Sequence, residues 1–339
     1  MPDILLDKKD LLDFSRNFSI QRNYLGDRLF DDIKTENLEA EFYRLSEGAT
    51  IPKMAQVHAL DTEAVIGTRD TLEKVSFEKM LIKEKINQTE RMLMLKNRGV
   101  AERSLVNYVF DDIANLCEAV KTRTEVAKMQ AIAEGKLIIK ENNLNFVLDY
   151  NVPSDNIKSF TWTNPEHDIL SDIEDIISTL KLKGQIPTVA VLSTKILAAI
   201  KSNKAIQSKI YGLSTVLTRP STAAINSFFE SEYGFRIEVN DAVYRKIDSK
   251  GKFKTEHFFP QDRISFLSPT YDGTIGTGLW GVTEEERELG EYTAESDSQF
   301  VSCIQWETPD PVAIWSKAAG LFVPILPNPS GQFIAKITV

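Results

Sequence analysis

Apolar and polar positions change period several times along the chain, and each change predicts an element. Residues 57–66 run Val57-His58-Ala59-Leu60-Asp61-Thr62-Glu63-Ala64-Val65-Ile66 as an extended limb, which breaks at Gly67-Thr68-Arg69-Asp70, a cluster with turn chemistry. The return limb, 72–86, begins with strict alternation: Val75 and Phe77 share one face, Lys74, Ser76 and Glu78 the other. Around Met80-Leu81-Ile82 the alternation slips, which predicts a bulge or bend. Lys74, Lys79, Lys83 and Lys85 mix with Glu73, Glu78 and Glu84, so neither face is a continuous apolar wall. A two-stranded ribbon alone is marginal in water, so this one needs a partner surface, in its own domain or on another subunit.

From Val100 the period lengthens. Leu105, Val109, Ile113, Leu116, Val120, Thr124, Ala127 and Ala131 step by three and four, with Val106, Phe110 and Cys117 widening the stripe, and predict one helix over about 101–134. Gly135 suits the position just past its end. Unbroken, such a helix would reach ~50 Å.

Residues 1–40 read as an arm whose apolar positions are too sparse to fold alone. After the helix, 136–140 and 145–150 read as a hairpin turned at Glu141-Asn142-Asn143. A helix opens near Asp168 with Ile169, Ile173, Ile176, Ile177 and Leu180 on one face and stops at Lys183-Gly184. A buried strand at 188–193, helices at 194–200 and 221–233, and strands at 235–239 and 243–247 follow. Residues 166 to about 290 thus predict a mixed α/β unit inserted between two parts of another. Phe333, Ala335, Ile337 and Val339 alternate with polar neighbours as a half-buried last strand.

At 339 residues and 42% hydrophobic content the chain can bury a real core and divide into two or more compact units. Its net charge of −9 and pI near 5.1, with no dense Lys/Arg block, argue against sequence-specific nucleic-acid binding. The two cysteines, Cys117 and Cys303, form no framework and read as reduced, buried thiols. Acids flank the short apolar run at 4–6, so no cleavable leader is expected there, and no apolar run is long enough to cross a bilayer.

Chemistry is thin. Gly276-Thr277-Gly278-Leu279-Trp280-Gly281 fits GxGxxG, the letters of a dinucleotide loop. Its context differs: Ser268 to Gly273 separate it from the preceding strand, and Glu284, Glu285 and Glu286 follow where a phosphate would be repelled. A glycine-rich strand or turn is the expectation. His58, His167 and His257 lack His or Cys partners at ligand spacing, and no Ser or Cys has a nucleophile-elbow setting. No catalytic residue, cofactor or metal is predicted, and by elimination the chain reads as structural.

Four runs in the last third carry a likeness: His257-Phe258-Phe259-Pro260-Gln261-Asp262-Arg263, the Gly276 to Gly281 run, Trp306-Glu307-Thr308-Pro309-Asp310-Pro311, and Leu326-Pro327-Asn328-Pro329 before a final strand. In that order they resemble the major capsid proteins of lambda-like tailed phages, the major capsid protein E family. The resemblance implies an α+β, HK97-like capsid fold: an N-terminal arm (1–40), an extended E-loop hairpin (52–88), a peripheral domain (89–160 and 300–339) with spine helix 101–134, and an axial domain (161–299). It implies a subunit that assembles with itself, as pentamers and hexamers, into the icosahedral prohead shell around dsDNA, made in the host bacterial cytoplasm and ending in the virion. Its further implied partners are a separate scaffolding protein, a portal protein and a decoration protein; contact with DNA is non-specific and no membrane is involved. On this reading the E-loop residues Val57, Arg69, Lys74, Val75, Phe77 and Lys79 touch a neighbouring subunit. Some relatives join an E-loop lysine to a neighbour's asparagine; Lys74 or Lys79 would occupy that place, though no motif marks either. The alternatives are an encapsulin-like compartment shell and, in another class, an α/β dinucleotide-binding enzyme using Gly276 to Gly281.

Overall fold

A computed structural model describes residues 22–45, 51, 54, 72–88, 102–141, 144–212, 218–247, 251–270, 273–288, 300–310 and 312–339. The first elements are α1 (Gly26–Leu29), β1 (Phe30–Thr35), β2 (Glu39–Leu45), β3 (Leu72–Glu78), β4 (Met80–Gln88) and α2 (Glu102–Glu134). Then come β5 (Lys136–Glu141), β6 (Leu144–Asp149), β7 (Ile157–Thr161), α3 (Ile169–Leu182), β8 (Val189–Leu192), α4 (Thr194–Ser202), α5 (Lys204–Tyr211) and α6 (Thr222–Tyr233). The chain continues through β9 (Arg236–Val239), β10 (Val243–Ile247), β11 (Phe253–His257), β12 (Arg263–Leu267), β13 (Gly276–Gly281), α7 (Glu284–Glu288), β14 (Ser302–Pro309), β15 (Val312–Ile325) and β16 (Gln332–Thr338).

Two compact units emerge, each from three segments: Met1–Ala40, Ser76–Lys128 and Thr277–Ile325 in the first; Glu41–Val75, Met129–Gly276 and Leu326–Val339 in the second. These boundaries differ from the sequence expectation, which grouped 300–339 together and ended the inserted domain at 299. The stretch splits because β15 pairs with β4, β13 and β14, whereas β16 joins β12 and β7 in another sheet.

In the first unit β15 is the axis of the sheet. Its residues 314–322 pair with β4 along one side, and β14 then β13 line the other, with β1 beyond β13. Small residues Ser316, Ala318 and Gly320 recur on one face of β15, and a Cβ on Gly320 would stand 2.9 Å from Cγ1 of Val120 on α2. The helix therefore settles where the strand has little side chain. Ile113, Leu116, Val120, Thr124, Ala127 and Ala131 of the predicted stripe are buried.

The second unit is a sheet ordered β7-β16-β12-β8-β9 under helices α3 to α6. Ile173, Ile176, Leu180, Phe229, Phe235, Phe266 and Phe333 belong to one apolar cluster. Each helix starts on a side-chain cap, from Asp168, Ser193, Asn203 and Ser221, which satisfies a backbone N–H left over at the helix start. Helix α5 was not predicted; its Asn203 cap and the Ile206/Ile210 spacing are its only local signals.

At the end of α2 the last carbonyls are taken up by side chains from the sheet. Ser265 Oγ donates to the Ile132 carbonyl at 2.9 Å and Arg263 to that of Ala133 at 2.9 Å, while Gln332 Nε2 donates to Ala131 at 3.1 Å and also reaches Ile132. Gly135 then turns the chain with φ +62°, and a Cβ there would also strike Val152.

Candidate subunit interface

The predicted E-loop divides into parts. Its outgoing limb at 57–66, the turn at 67–70, and with them Val57 and Arg69, lie outside the described residues. The return limb is two strands, not one, and the break falls at Lys79, just ahead of the expected slip. Beyond the break, β4 pairs with β15 from Gln88 to Met80, so the partner surface for that half is its own chain. Before it, β3 forms a two-stranded ribbon with β2.

The ribbon follows the predicted alternation. Val75 and Phe77 are half-buried, while Lys74, Ser76 and Glu78 are exposed. Lys74 pairs with Glu41 at 2.9 Å and Ser76 donates to Glu39 at 2.9 Å, exposed links of small energetic weight. Lys79 departs from the expectation that it faces a neighbour. Its side chain is 3% exposed and its Nζ donates to Thr35 Oγ1 at 2.6 Å and to the Asn37 carbonyl. A lysine stem covers apolar surface while its ammonium finds carbonyls, and here those carbonyls belong to the turn between β1 and β2. Burial pulls its pKa down to about 8. Lys79 thus fastens the root of the ribbon from inside and is no longer a candidate for a cross-link.

Buried charges surround that root. Glu285 on α7 accepts from Lys83 of β4 at 2.7 Å and Lys317 of β15 at 2.6 Å. Burial pushes its carboxyl pKa up, but the hydrogen bonds from Lys317 and Lys83 outweigh burial and hold it at about 2. Next to it Glu286 pairs with Lys34 of β1, side chains 4% and 2% exposed. The three glutamates that argued against a phosphate loop are, in two cases of three, inward anchors. On α2, Lys128 bridges Asp27 at 2.9 Å and Asp32 at 2.8 Å, and Glu125 accepts the Gly26 N–H at 3.0 Å. Burial drives the Glu125 pKa up to about 7, against the Gly26 hydrogen bond and the charge of Lys128. Gly26, Asp27 and Asp32 are thereby pinned to α2.

Gly276 to Gly281 is β13, a strand paired antiparallel with β15. It opens no helix toward a phosphate, and a Cβ at Gly278 or Gly281 would meet Asp32 or Leu321, so these glycines serve close packing. That removes the dinucleotide reading. Among the described residues no group of His, Cys, Asp and Glu is placed to hold a metal, and no helix is long and apolar enough to cross a membrane.

A second exposed surface, in the other unit, was not anticipated. Hairpin β5-β6 exposes Ile138, Leu144 and Val147; hairpin β10-β11 exposes Val243, Ile247 and Phe253; Lys246 links them through Glu141 at 3.1 Å. Scattered apolar residues among polar ones, such as Val243, Ile247 and Phe253, were the available signal.

The described residues thus make a sheet beside a long helix, a second sheet covered by helices, and a two-stranded ribbon. The fold is the HK97-like capsid fold. It is similar over 99% of this chain and 100% of the other to a prophage protein of Escherichia coli CFT073 assigned as a capsid protein, with TM-score 0.62 and 16% identity. A phage-related protein from Bordetella bronchiseptica RB50 aligns over 98% and 97% with TM-score 0.60 and 12% identity, and the capsid of cyanophage P-SCSP1u over 95% and 90% with TM-score 0.50 and 8% identity. The family described as phage major capsid protein E matches residues 10–337, and the chain belongs to it. It is a structural subunit of a bacteriophage capsid. A comparison with curated proteins returns no match.

Proposed function

We propose that the chain assembles with itself, as pentamers and hexamers, into the prohead shell of a tailed phage, with the β2-β3 ribbon lying on a neighbouring copy. The observation that carries this reading is the contrast at Lys79: the root is fastened by buried charges, while Val75 and Phe77 beyond it remain half-covered. A ribbon fastened at one end, with Val75 and Phe77 only half-buried by their own chain, suits a further surface supplied by a second subunit. The exposed hairpins β5-β6 and β10-β11 offer a further contact. We read Ser76–Lys128 with Thr277–Ile325 as peripheral and Met129–Gly276 with Leu326–Val339 as axial, in place of the boundaries expected from sequence.

The net charge of −9 suits a container that must not grip packaged dsDNA, since like charge repels phosphate at long range. Scaffolding, portal and decoration proteins complete the proposed set of partners, with assembly in the host cytoplasm. Electron microscopy of the purified chain, alone and co-expressed with the phage scaffolding protein, tests the reading. Closed shells that need the scaffold support it, and shells closing unaided around a cargo enzyme favour the compartment alternative. Monomers or dimers under both conditions refute it.

A further inference from the structure

Cys117 on α2 and Cys303 on β14, 186 positions apart, bring their Sγ atoms to 3.0 Å. Both are 1% exposed and neither is oxidised. The approach follows from packing. Cys303 stands opposite Ala318 on β15, and two residues on, Gly320 admits Val120, one helical turn from Cys117. A disulfide is 2.03–2.05 Å long, so the sulfurs lack about 1 Å of closure.

We propose that Cys117 and Cys303 form a latent intrachain disulfide site, open in a reducing cytoplasm and closed by a peroxide-class oxidant. One sulfur, giving up its proton, attacks a peroxide oxygen; the O–O bond breaks, a water leaves with that proton, and a sulfenic acid forms. The second sulfur displaces the sulfenic hydroxyl, which departs with the second thiol proton as water. Two thiols and one hydrogen peroxide become one disulfide and two waters, with two electrons passing from sulfur to peroxide.

The hydrogen bond to Cys303 and burial both push the Cys117 thiol up, which keeps thiolate scarce and closure slow. A small oxidant entering through local openings reacts where a bulky disulfide does not. The consequence is a staple between α2 and β14 that forms after the particle leaves the cell, where oxidants are no longer countered. The competing view is that the two thiols are inert packing.

The test uses the full-length chain, purified with reductant, freed of it and exposed to hydrogen peroxide. It is then denatured with a thiol-capping reagent and weighed intact without reduction. The expected product is lighter by two hydrogen atoms, takes up no cap, yields one joined peptide holding Cys117 and Cys303, and melts about 5 °C higher until reduced. Cys303→Ser takes up one cap or gains oxygen, and shows no rise in Tm. Wild-type chain that still takes two caps, oxidises each sulfur separately, or links only between chains overturns the proposal. The wild-type mass and peptide map decide even if the variant does not fold.

Discussion

The two units keep their interiors by different means. Around Phe266 and Phe333 the second unit is an apolar cluster of isoleucines, leucines and aromatics. In the first unit Trp280 and Phe322 share the interior with Lys34, Lys128, Glu125, Glu285 and Glu286. An apolar core is specified by volume and forgives exchanges that conserve it. An ion-paired core is specified by partnership, because a buried charge left alone costs more than the pair contributes. The charged interior sits where the ribbon is rooted, so position there is set by directional bonds from β1, β4, β15 and α2.

Truncation gives the largest contrast. Phe266→Ala should cost about 3–5 kcal/mol in denaturant unfolding, whereas Phe266→Leu should cost much less, because the loss follows cavity volume. In the first unit the comparison turns on number of charges, not volume. Lys34→Met leaves Glu286 buried alone and should cost about 3–5 kcal/mol, while Lys34→Met with Glu286→Leu should return near wild-type stability. If the double variant is as unstable as the single one, the partnership account of this core fails.

Two glutamates of the first unit should respond to pH in opposite directions. Burial lifts the folded pKa of Glu125 from 4.5 to about 7, so the folded chain binds the extra proton between those values. That contribution is fully present below pH 4.5 and lost as pH rises through 7, on the order of 3 kcal/mol by pH 8. Glu285 is held at about 2 by Lys317 and Lys83 despite burial, so its contribution is present above pH 4.5 and lost as pH falls toward 2. Glu125→Gln should flatten the fall in Tm between pH 5 and pH 8; an unchanged slope would assign the fall to another group. The smallest effect on stability belongs to Val75→Ser with Phe77→Ser, under about 1 kcal/mol together. The chain should stay folded by circular dichroism while shell yield drops under the microscope. Unfolding by this pair would place both residues in the chain's own core.

Legibility followed how local each signal is, not the division into units. Local period carries α2, α3, α6 and the final strand, since a helix stripe or an alternating strand is written within a few turns of chain. The Asp168, Ser193 and Ser221 caps stand at the expected helix starts for the same reason. Lys79 and Glu285 were opaque. Glu285 meets Lys83 and Lys317, which lie about 200 and 30 positions away, and a sequence pattern holds no trace of such pairings. Glu125 and Lys128 lie off the apolar stripe of α2, yet both are buried, so α2 is enclosed on more than one side there. The split between β3 and β4 was hidden because a strand that changes partners shows only as a slip in alternation. Cys117 and Cys303 looked like unrelated thiols until β14 was laid against α2.

The place of β16 sets a schedule for synthesis. Among the described residues strand β7 joins the second sheet through β16 alone, which lies between it and β12, and Gln332 of the same strand closes the end of α2. A ribosome that has delivered β7, β8, β9 and β12 still holds an incomplete sheet until residues 332–338 clear the exit tunnel. A nascent chain therefore lacks a finished second unit until Thr338 has left the tunnel, and shell building draws on subunits translated at least that far.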